Sequence, residues 1–420
     1  MSTPAPSETW LGTDRRVLAL AVARMADAMG NSFLIIVLPL YVASEAVSGD
    51  LFGVPASLVA GVVLALFGIA SSLTQPWAGH LSDRVGRRKP FVVGGLLVFA
   101  VVNLTFAAAT QYWELFALRV LQGMAAAFTI TASLALVNEG SRPERRGAHM
   151  GVYNSFRLVG FGGGPLLASV LVEMGPYRPL GLPAISGFDA TFAVAGGMAI
   201  LSTVLVVVLV DDTAEVGTSA RRLQIRIWDR EGRGLDSIFA LGLGTLVMAA
   251  CLALLSAIEP EVNRRLDQGP ILFSVEFVAL IAALAVVQPI VGRASDSFGR
   301  KPFVVVGMAA LVPTTVAQGW VVAPWELIVW RVLQGIAGAM IFAPALALAG
   351  DLATRGQSGA QLSVLTVAFG LGIAAGQLTA GALVPFGFAT PFVVGGGLAL
   401  GAVALLQTQV REPARAPDTS

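Results

Sequence analysis

A charge-dense turn that occurs twice is the feature that most constrains the fold of this chain. The first copy, residues 79–91, reads GHLSDRVGRRKPF and lies between two long apolar runs. The second copy, residues 292–302, reads GRASDSFGRKP and follows one half-length later. In each copy we expect a first glycine to break a helix and a second glycine to turn the chain. Because several charged side chains would each cost kcal/mol to bury in hydrocarbon, we predict two water-facing hairpins in a duplicated membrane bundle.

The composition also indicates a membrane protein. Of the 420 residues, 55% are hydrophobic and 13% are charged, whereas a soluble domain carries about 25% charged residues. The net charge of +1 favours no nucleic-acid partner. Cys251 is the single cysteine of the chain, so we expect no intramolecular disulfide. The polar N-terminal segment lacks a short apolar core followed by a small-residue cleavage site, so we also expect no cleaved signal peptide.

Twelve apolar runs are long enough to cross a bilayer, which requires about 20 predominantly apolar residues. We predict spans at 17–43, 55–79, 90–110, 113–138, 147–173, 189–210, 236–258, 270–292, 302–323, 325–349, 359–385 and 389–408. The predicted fold is therefore an all-α membrane protein with twelve transmembrane helices in two six-helix repeats. Its predicted parts are a tail, the first half, a linker, the second half and a second tail, at 1–16, 17–210, 211–235, 236–408 and 409–420.

The basic residues predict the orientation of these spans. If the N-terminus is cytoplasmic, the outer segments contain only Arg178, Arg264 and Arg265 among the basic residues, and the inner segments contain the rest outside the spans. This asymmetry follows the positive-inside rule, so both termini and the linker are predicted to be cytoplasmic. The linker, which includes RRLQIRIWDREGR, is interpreted either as a surface segment with a short helix at the headgroups or as a mobile tether without membrane contact.

The two halves repeat in a fixed register. Residues 113–115 (WEL) recur at 325–327, and residues 119–123 (RVLQG) recur at 331–335, so the offset from 119 to 331 is 212 residues. Two halves with an even number of spans have the same orientation in the membrane. Such halves pack about an axis along the membrane normal and leave a cleft between them.

These motifs resemble those of the major facilitator superfamily of secondary transporters, and the resemblance covers essentially the whole chain. GHLSDRVGRR is similar to the family's loop motif G-x-L-S/A-D-R-x-G-R-R, whereas the second copy is degenerate because Ser297 replaces the first arginine. The residues from Arg119 to Gly123 resemble the family's motif in the fourth helix. The resemblance implies transport by alternating access.

A further pattern in the fifth predicted span resembles the drug–proton antiporter branch. Its glycines and proline have the spacing G-x8-G-x3-G-P, although Ala168 and Ser169 stand where that motif closes with two glycines. Small residues at this spacing let helix backbones approach closely, and proline adds a bend. We predict helix packing at Gly151, Gly160, Gly164 and Pro165 and, in the second half, at Gly372 and Gly376.

The charged turns are predicted to act as a cytoplasmic latch. We expect Asp83 to face the positive N-terminus of a neighbouring helix, and Arg87 or Arg88 to pair with Glu139. Such contacts would form when the cytoplasmic side closes and break when it opens. A cluster that merely directs membrane topology is the alternative. The predicted latch comprises Gly79, Asp83, Arg84, Gly86, Arg87, Arg88, Glu139, Asp296, Gly299, Arg300 and Asp351.

Ionisable residues inside spans are functional candidates, because charges in hydrocarbon are costly. Asp27 is predicted to carry a proton while Arg119 or Arg157 controls its charge. A static ion pair between Asp27 and one of these arginines is the alternative. The face of the first span that includes Asp27 is predicted to line the central cleft, and the predicted substrate cavity comprises Arg24, Asn31, Gln122, Arg331, Gln334 and Glu276, the last also a weaker candidate for proton binding. The arginine excess favours anionic or zwitterionic solutes over lipophilic cations.

Several function classes are disfavoured. Lys89 and Lys301 each follow an arginine, so the chain has no Gly-Lys-Ser/Thr phosphate loop of an ATP-driven pump. His80, His149 and Cys251 form no metal-ligand pattern, so we predict neither an enzyme nor a cofactor. The prediction is proton-coupled efflux of a drug or metabolite by a monomer in the plasma or inner membrane. Proton-linked transport of an organic anion or sugar-like metabolite is the alternative.

Overall fold

The computed structural model describes residues 9–10, 13–44, 46–48, 53–141, 145–178, 183–212, 227–228, 234–352 and 358–412. These residues are almost entirely helical. Their one short sheet pairs β1 (Thr9–Trp10) with β2 (Thr13–Asp14) in antiparallel fashion. Most of the predicted linker lies outside the described residues, so its two interpretations stay as predictions.

Thirteen α-helices cover the described residues. The first half forms α1 (Arg15–Ala43), α2 (Ala56–Val85), α3 (Lys89–Thr105), α4 (Tyr112–Glu139), α5 (Arg146–Glu173) and α6 (Gly187–Leu209). The second half forms α7 (Ser237–Ala253), α8 (Glu259–Leu266), α9 (Pro270–Phe298), α10 (Arg300–Val316), α11 (Pro324–Leu352), α12 (Ser358–Leu383) and α13 (Thr390–Gln409). All except the short α8 belong to spans that are long and apolar enough to cross a membrane, so the predicted twelve-helix fold is confirmed.

Side-chain caps fix several helix starts. Ser186 Oγ accepts a hydrogen bond from the Asp189 amide at the start of α6, and Asp236 accepts from the Ile238 amide at the start of α7. At the start of α4, Gln111 and Glu114 form a capping box. These caps provide partners for amide groups that a helix cannot satisfy internally, and a membrane offers few other partners.

The charged turns are shorter than the sequence predicts. Gly79 does not break a helix, because α2 continues to Val85, and α9 likewise continues past Gly292 to Phe298. The chain turns instead at Gly86 and Gly299, whose φ angles are +72° and +99°. A glycine inside a long helix costs only about 1 kcal/mol, whereas a positive φ ends a helix and favours glycine.

The chain divides into two compact units. The first unit comprises residues 1–52 and 69–220, and the second comprises residues 53–68 and 221–420. In the first unit α1 packs on α5 and α6, and α3 packs on α4 and α6. In the second unit α7 packs on α12, and α11 packs on α9 and α10. The beginning of α2 belongs to the second unit, where Ser57 Oγ donates to the carbonyl of Gly381 at 3.0 Å.

Each unit has its own apolar core. In the first unit the core includes Leu20, Leu96 and Leu136 from three different helices. In the second unit Met248 and Ile341 are fully or almost fully buried in a larger cluster. These cores hold the backbones rigidly enough for polar side chains between the helices to have defined partners.

Candidate functional site

Arg88 is the centre of a charged network at the α2–α3 turn of the first unit. Its guanidinium lies 2.5 Å from Asp83 Oδ1 and 2.8 Å from Glu139 Oε1, and it donates to Ser82 Oγ at 2.7 Å. Burial opposes its charge, but hydrogen bonds to Glu139 and Asp83 outweigh burial and raise the pKa of Arg88 above its usual value. The network therefore joins the end of α2, the start of α3 and the end of α4.

Arg300 is the centre of the corresponding network in the second unit. It pairs with Asp296 at 3.0 Å and with Asp351, and it donates to the carbonyl of Ala347 at 2.8 Å. The Arg300 side chain is 22% exposed, against 5% for Arg88. More solvent around the second network screens its charges, so its ion pairs contribute less to stability.

The second turn is one residue shorter than the first. Comparison of the two turns therefore shows which arginine of the first copy corresponds to Arg300. Two arginines follow Gly86, whereas one arginine follows Gly299 before the shared lysine and proline. Arg88 corresponds to Arg300, and Arg87 is the additional residue. Arg84 and Arg87 are exposed, and the charged network just described passes through neither of them.

A carboxylate that sequence reasoning missed caps the helix after each turn. Asp212 accepts from the backbone amides of Arg88 and Lys89 at 2.9 and 3.2 Å. Lys89 Nζ in turn donates to the carbonyl of Val207 at 2.8 Å. Asp83, which we expect to face the positive N-terminus of a neighbouring helix, contacts the side chain of Arg88 in this structure.

The second unit repeats this reciprocal cap. Glu412 accepts from the backbone amide of Arg300 at 2.6 Å, and Lys301 Nζ donates to the carbonyl of Gln407 at 2.9 Å. An anion at a helix N-terminus and a cation at a helix C-terminus both oppose the helix dipole. The available sequence signal was an acidic residue just beyond the last span of each half.

Asp27 is 5% exposed and pairs with Arg24, three residues before it on α1. The predicted partners Arg119 and Arg157 make other contacts: Arg119 donates to Gln122, and Arg157 donates to Asn154 at 3.0 Å. The predicted ion pair is therefore wrong in this structure, because a partner on the same helix is nearer. Asp27 Oδ1 and Arg24 Nε are buried without a hydrogen-bond partner.

A small cavity lies beside this pair inside the first unit. Its volume is about 10 Å³, close to the minimum of roughly 10–15 Å³ for one water molecule. The walls come from α1, α3, α4 and α6, through Leu20, Ala23, Arg24, Asp27, Val92, Leu96, Thr129, Ser133 and Val206. Asp27 thus lines a cavity inside the first unit, and its predicted place at a cleft between the halves stays a prediction. Ser133, on the cavity wall, shares a 2.5 Å hydrogen bond with the hydroxyl of Tyr153.

A buried arginine and glutamine recur in both units. In the first, Arg119 donates to Gln122 at 2.6 Å, and Gln122 donates to Asn103 on α3 at 2.8 Å. The glutamine is fully buried, so it bridges two helices and does not line a cavity as predicted.

The second unit has the same arrangement. Arg331 donates to Gln334 at 2.8 Å and to the carbonyl of Leu252 at 3.1 Å, and Gln334 donates to Thr315 on α10 at 3.1 Å. Gln334 is also fully buried, which again contradicts a cavity-lining role. In both units the amide oxygen orients a guanidinium inside the helix bundle.

The glycine pattern coincides with close helix contacts at four of its members. A Cβ at Gly160 or Gly164 would clash with the carbonyl oxygens of Met25 and Met29 on α1. A Cβ at Gly372 or Gly376 would clash with carbonyls of α7 in the same way, at Leu246 and Ala250.

One predicted packing position, Gly151, makes no such helix contact. Gly151 is exposed, and a Cβ there would meet nothing within 4 Å, so the predicted packing contact is absent at this position. Asn31, a predicted residue of the substrate cavity, is half-buried on α1. Among the described residues, no three His, Cys, Asp or Glu side chains are grouped so that they could hold a metal ion.

The comparison with protein families agrees with this duplicated architecture. A sequence model of the Major Facilitator Superfamily matches residues 20–240 and again residues 241–420. The chain belongs to the Major Facilitator Superfamily. Its members are transporters, and the superfamily assignment supports secondary transport of a small solute across a membrane.

The names of this chain's relatives indicate different transported compounds. Citrate exporter 1 of Aspergillus niger is 30% identical over 155 residues, which cover 37% of this chain and 27% of the exporter. The chain thus matches about a quarter of that relative's length. The multidrug resistance protein MdtG of Salmonella typhimurium is 22% identical over 342 residues, which cover 80% of this chain and 81% of MdtG.

Solved structures show the same fold. The human organic anion transporter MFSD10 has a TM-score of 0.68 at 20% identity, with 94% of this chain and 99% of that chain covered. A POT family transporter in complex with 5-aminolevulinic acid has a TM-score of 0.77 at 11% identity, with 96% and 97% covered. At these identities the likeness is evidence for the fold alone.

Proposed function

We propose that this superfamily member exports a small organic solute in exchange for protons, and that Asp27 is the group that carries the proton. The observation that carries the proposal is the buried Arg24–Asp27 pair beside a cavity for about one water molecule. A carboxylate inside a membrane span is costly unless it is paired or protonated, so such a residue is a functional candidate.

Arg24 is proposed to control the charge of Asp27. While the guanidinium contacts the carboxylate, the charged form of Asp27 is favoured. When Arg24 moves away, an ionised Asp27 would remain buried without a counter-ion, and it takes up a proton instead. One rotamer change on α1 therefore alternates between the proton-free and the proton-loaded state.

A path for the proton is proposed through the small cavity. Water beside Asp27 would connect its carboxylate to Ser133, whose hydroxyl is 2.5 Å from the hydroxyl of Tyr153. Both hydroxyls accept and donate hydrogen bonds, so they can pass a proton along a chain. Tyr153 lies on α5, one turn before Arg157.

Alternating access is proposed to involve the two charged networks. Arg88 and Arg300 each join the ends of three helices, so their ion pairs are sensitive to small movements of those ends. We place both networks and both termini on the cytoplasmic side of the cell membrane, in accordance with the positive-inside rule. A single chain contains both repeats, which supports a monomer as the transporting unit.

The direction of transport and the substrate class are proposed from what the names of the relatives say. The MdtG match covers 80% of this chain and favours export of drug-like compounds. The partial match to a citrate exporter also favours export, but of an organic anion.

An organic anion is the second candidate substrate class. Arg119 and Arg331 are buried guanidinium groups inside the spans, and each would attract a carboxylate that reached it.

The test uses purified protein reconstituted in lipid vesicles with a pH-sensitive dye inside. Addition of tetraphenylphosphonium or citrate should move protons in the wild type, and the active compound identifies the substrate class. Asp27→Asn should abolish the proton movement, whereas the control Asp267→Asn, at an exposed loop carboxylate, should retain it. If either compound is transported at the same rate after the pH gradient has been collapsed, proton coupling is refuted.

A further inference from the structure

The second unit contains an unusual group of buried acceptor atoms near α8. Among the described residues, the buried side-chain atoms of this unit without a hydrogen-bond partner are all oxygens: Glu259 Oε2, Glu261 Oε2, Gln268 Oε1, Glu276 Oε1 and Oε2, Gln318 Oε1 and Gln377 Oε1. Buried polar groups normally have partners, and each unpaired one costs about 1–3 kcal/mol. A shortage of donors, not of acceptors, therefore characterises this end of the unit.

Glu276 is the most exceptional member of this group. It lies six residues into α9, roughly 9 Å along the helix at 1.5 Å per residue, and its side chain is 1% exposed. Both of its carboxylate oxygens lack a hydrogen-bond partner. The side chain of Gln268 lies near this carboxylate but forms no hydrogen bond of normal geometry with it, so an ionised Glu276 is unfavourable here.

Glu259 is the second carboxylate of the group. It begins α8, is fully buried, and accepts a long hydrogen bond of 3.5 Å from Asn263 at one oxygen. Burial and the nearby carboxylate of Glu276 raise the pKa of Glu259 well above its usual value. Two carboxylates that interact in an apolar site do not both stay ionised.

The neighbouring cations have other partners. Arg331 on α11 is near Glu276, but it donates to Leu252 and Gln334 and forms no ion pair with that carboxylate. On α8, Arg265 donates to the carbonyl of Val321 and lies over the ring of Phe388, and Arg264 is exposed beside Glu261. Asp267, which ends α8, is exposed as well. Neutralisation of the two buried carboxylates must therefore come from elsewhere.

We propose that Glu259 and Glu276 form a proton-binding pair at the α8 end of the second unit, distinct from Asp27. A proton on either carboxyl creates the O–H donor that the site lacks, and several buried oxygens near α8, Gln268 Oε1 among them, have no hydrogen-bond partner. The described residues offer no third His, Cys, Asp or Glu ligand for a metal ion. The pair binds a proton whether or not Asp27 is the coupling group.

The test measures the infrared C=O stretch of protonated carboxyl groups during a pH titration of the full-length protein in lipid. All variants carry Asp27→Asn, so Asp27 contributes no band. At pH 7, far above the ordinary glutamate pKa of about 4.3, we expect a protonated-carboxyl band. Glu259→Gln should remove the larger part of this band, and Glu276→Gln should lower the titration midpoint of the Glu259 band by about one pH unit, because the like charge is gone.

Asp267→Asn is the matched control, since asparagine tolerates the positive φ of 50° at this exposed position. It should leave the band unchanged. If Glu259→Gln fails to fold, as judged by gel filtration, the midpoint shift in Glu276→Gln carries the same test. Absence of the band at pH 7 in the Asp27→Asn parent would overturn the proposal. A band that disappears when choline chloride is replaced by sodium chloride would also overturn it, because the site would then bind a metal cation.

Discussion

Arg88 and Glu139 form a two-pronged contact in the first unit. Arg88 Nη2 lies 2.8 Å from Glu139 Oε1, and Arg88 Nε lies 3.4 Å from Oε2. Arg300 ties α10 to α11 through one nitrogen, Nη1, and Asp351 Oδ2, whereas the two-pronged contact of Arg88 ties the start of α3 to the end of α4. A planar guanidinium fits a carboxylate in this way, and a lysine does not. The two copies differ mainly in burial, and that difference leads to the first prediction.

Loss of Arg88 should cost more stability than loss of Arg300. Arg88→Gln removes two charge-assisted hydrogen bonds of a buried guanidinium to carboxylates that are 25% and 30% exposed, and we expect a loss of about 2 kcal/mol in unfolding free energy. Arg300→Gln removes a partly exposed network and should cost about 1 kcal/mol or less. Denaturant unfolding in detergent measures both values, and Arg87→Gln, at an exposed neighbour, is the control. Equal losses at Arg88 and Arg300 would contradict this account.

The sequence predicted the twelve helices well because apolar length is a strong signal. It predicted an ion pair of Arg87 or Arg88 with Glu139 and left open which arginine forms it, because both arginines lie side by side in the same charged turn. It also gave Asp27 an arginine partner on another helix instead of Arg24, because depth along a helix does not determine the direction of a side chain. Gly79 was taken as a helix end, although only the positive φ at Gly86 ends α2.

The reciprocal caps should stabilise each unit independently. Asp212→Asn keeps a hydrogen-bond acceptor but removes the charge at the N-terminus of α3, and we expect a loss of about 0.5–1 kcal/mol. Asp212→Ala removes the acceptor as well and should cost about 1–2 kcal/mol. Glu412→Gln and Glu412→Ala should follow the same order for α10. Hydrogen exchange of the Arg88 and Arg300 amides checks the effect locally, and faster exchange at both sites in a single-site variant would contradict independent caps.

Glycine-to-alanine substitutions should separate packing contacts from open positions along α5. Gly164→Ala places a methyl group against Ser32 and the carbonyl of Met29, so α1 and α5 must move apart. We expect a loss of about 1–3 kcal/mol from this overpacking. Gly151→Ala, where a Cβ meets nothing within 4 Å, should instead stabilise the helix by up to about 1 kcal/mol. Thermal melting of the two variants in the same detergent gives the comparison. A Gly164→Ala protein as stable as the wild type would exclude close packing of α5 against α1 at this position.

The Arg24–Asp27 pair should behave as a coupled unit in a double-mutant cycle. Arg24→Gln alone leaves the Asp27 carboxylate buried without a cation, and we expect a loss of about 3 kcal/mol at neutral pH. The double variant Arg24→Gln/Asp27→Asn removes both charges and should recover most of this loss. If the loss in the double variant equals the sum of the losses in Arg24→Gln and Asp27→Asn, the two side chains do not interact in the native protein.

Glu259 should make the protein less stable as the pH rises. Its folded-state pKa is raised above the unfolded value of about 4.3, so the native state binds more protons than the unfolded state in the window above that value. Stability from this group is therefore fully present below about pH 4.3 and is lost as the pH rises through the folded-state pKa. Glu259→Gln imitates the protonated carboxyl, so it should abolish this loss and be more stable than the wild type at pH 8. Melting temperatures from pH 5 to pH 8, with Asp267→Asn as the control, test the sign, and a Glu259→Gln protein that is less stable at pH 8 would show that the native state needs the charged carboxylate.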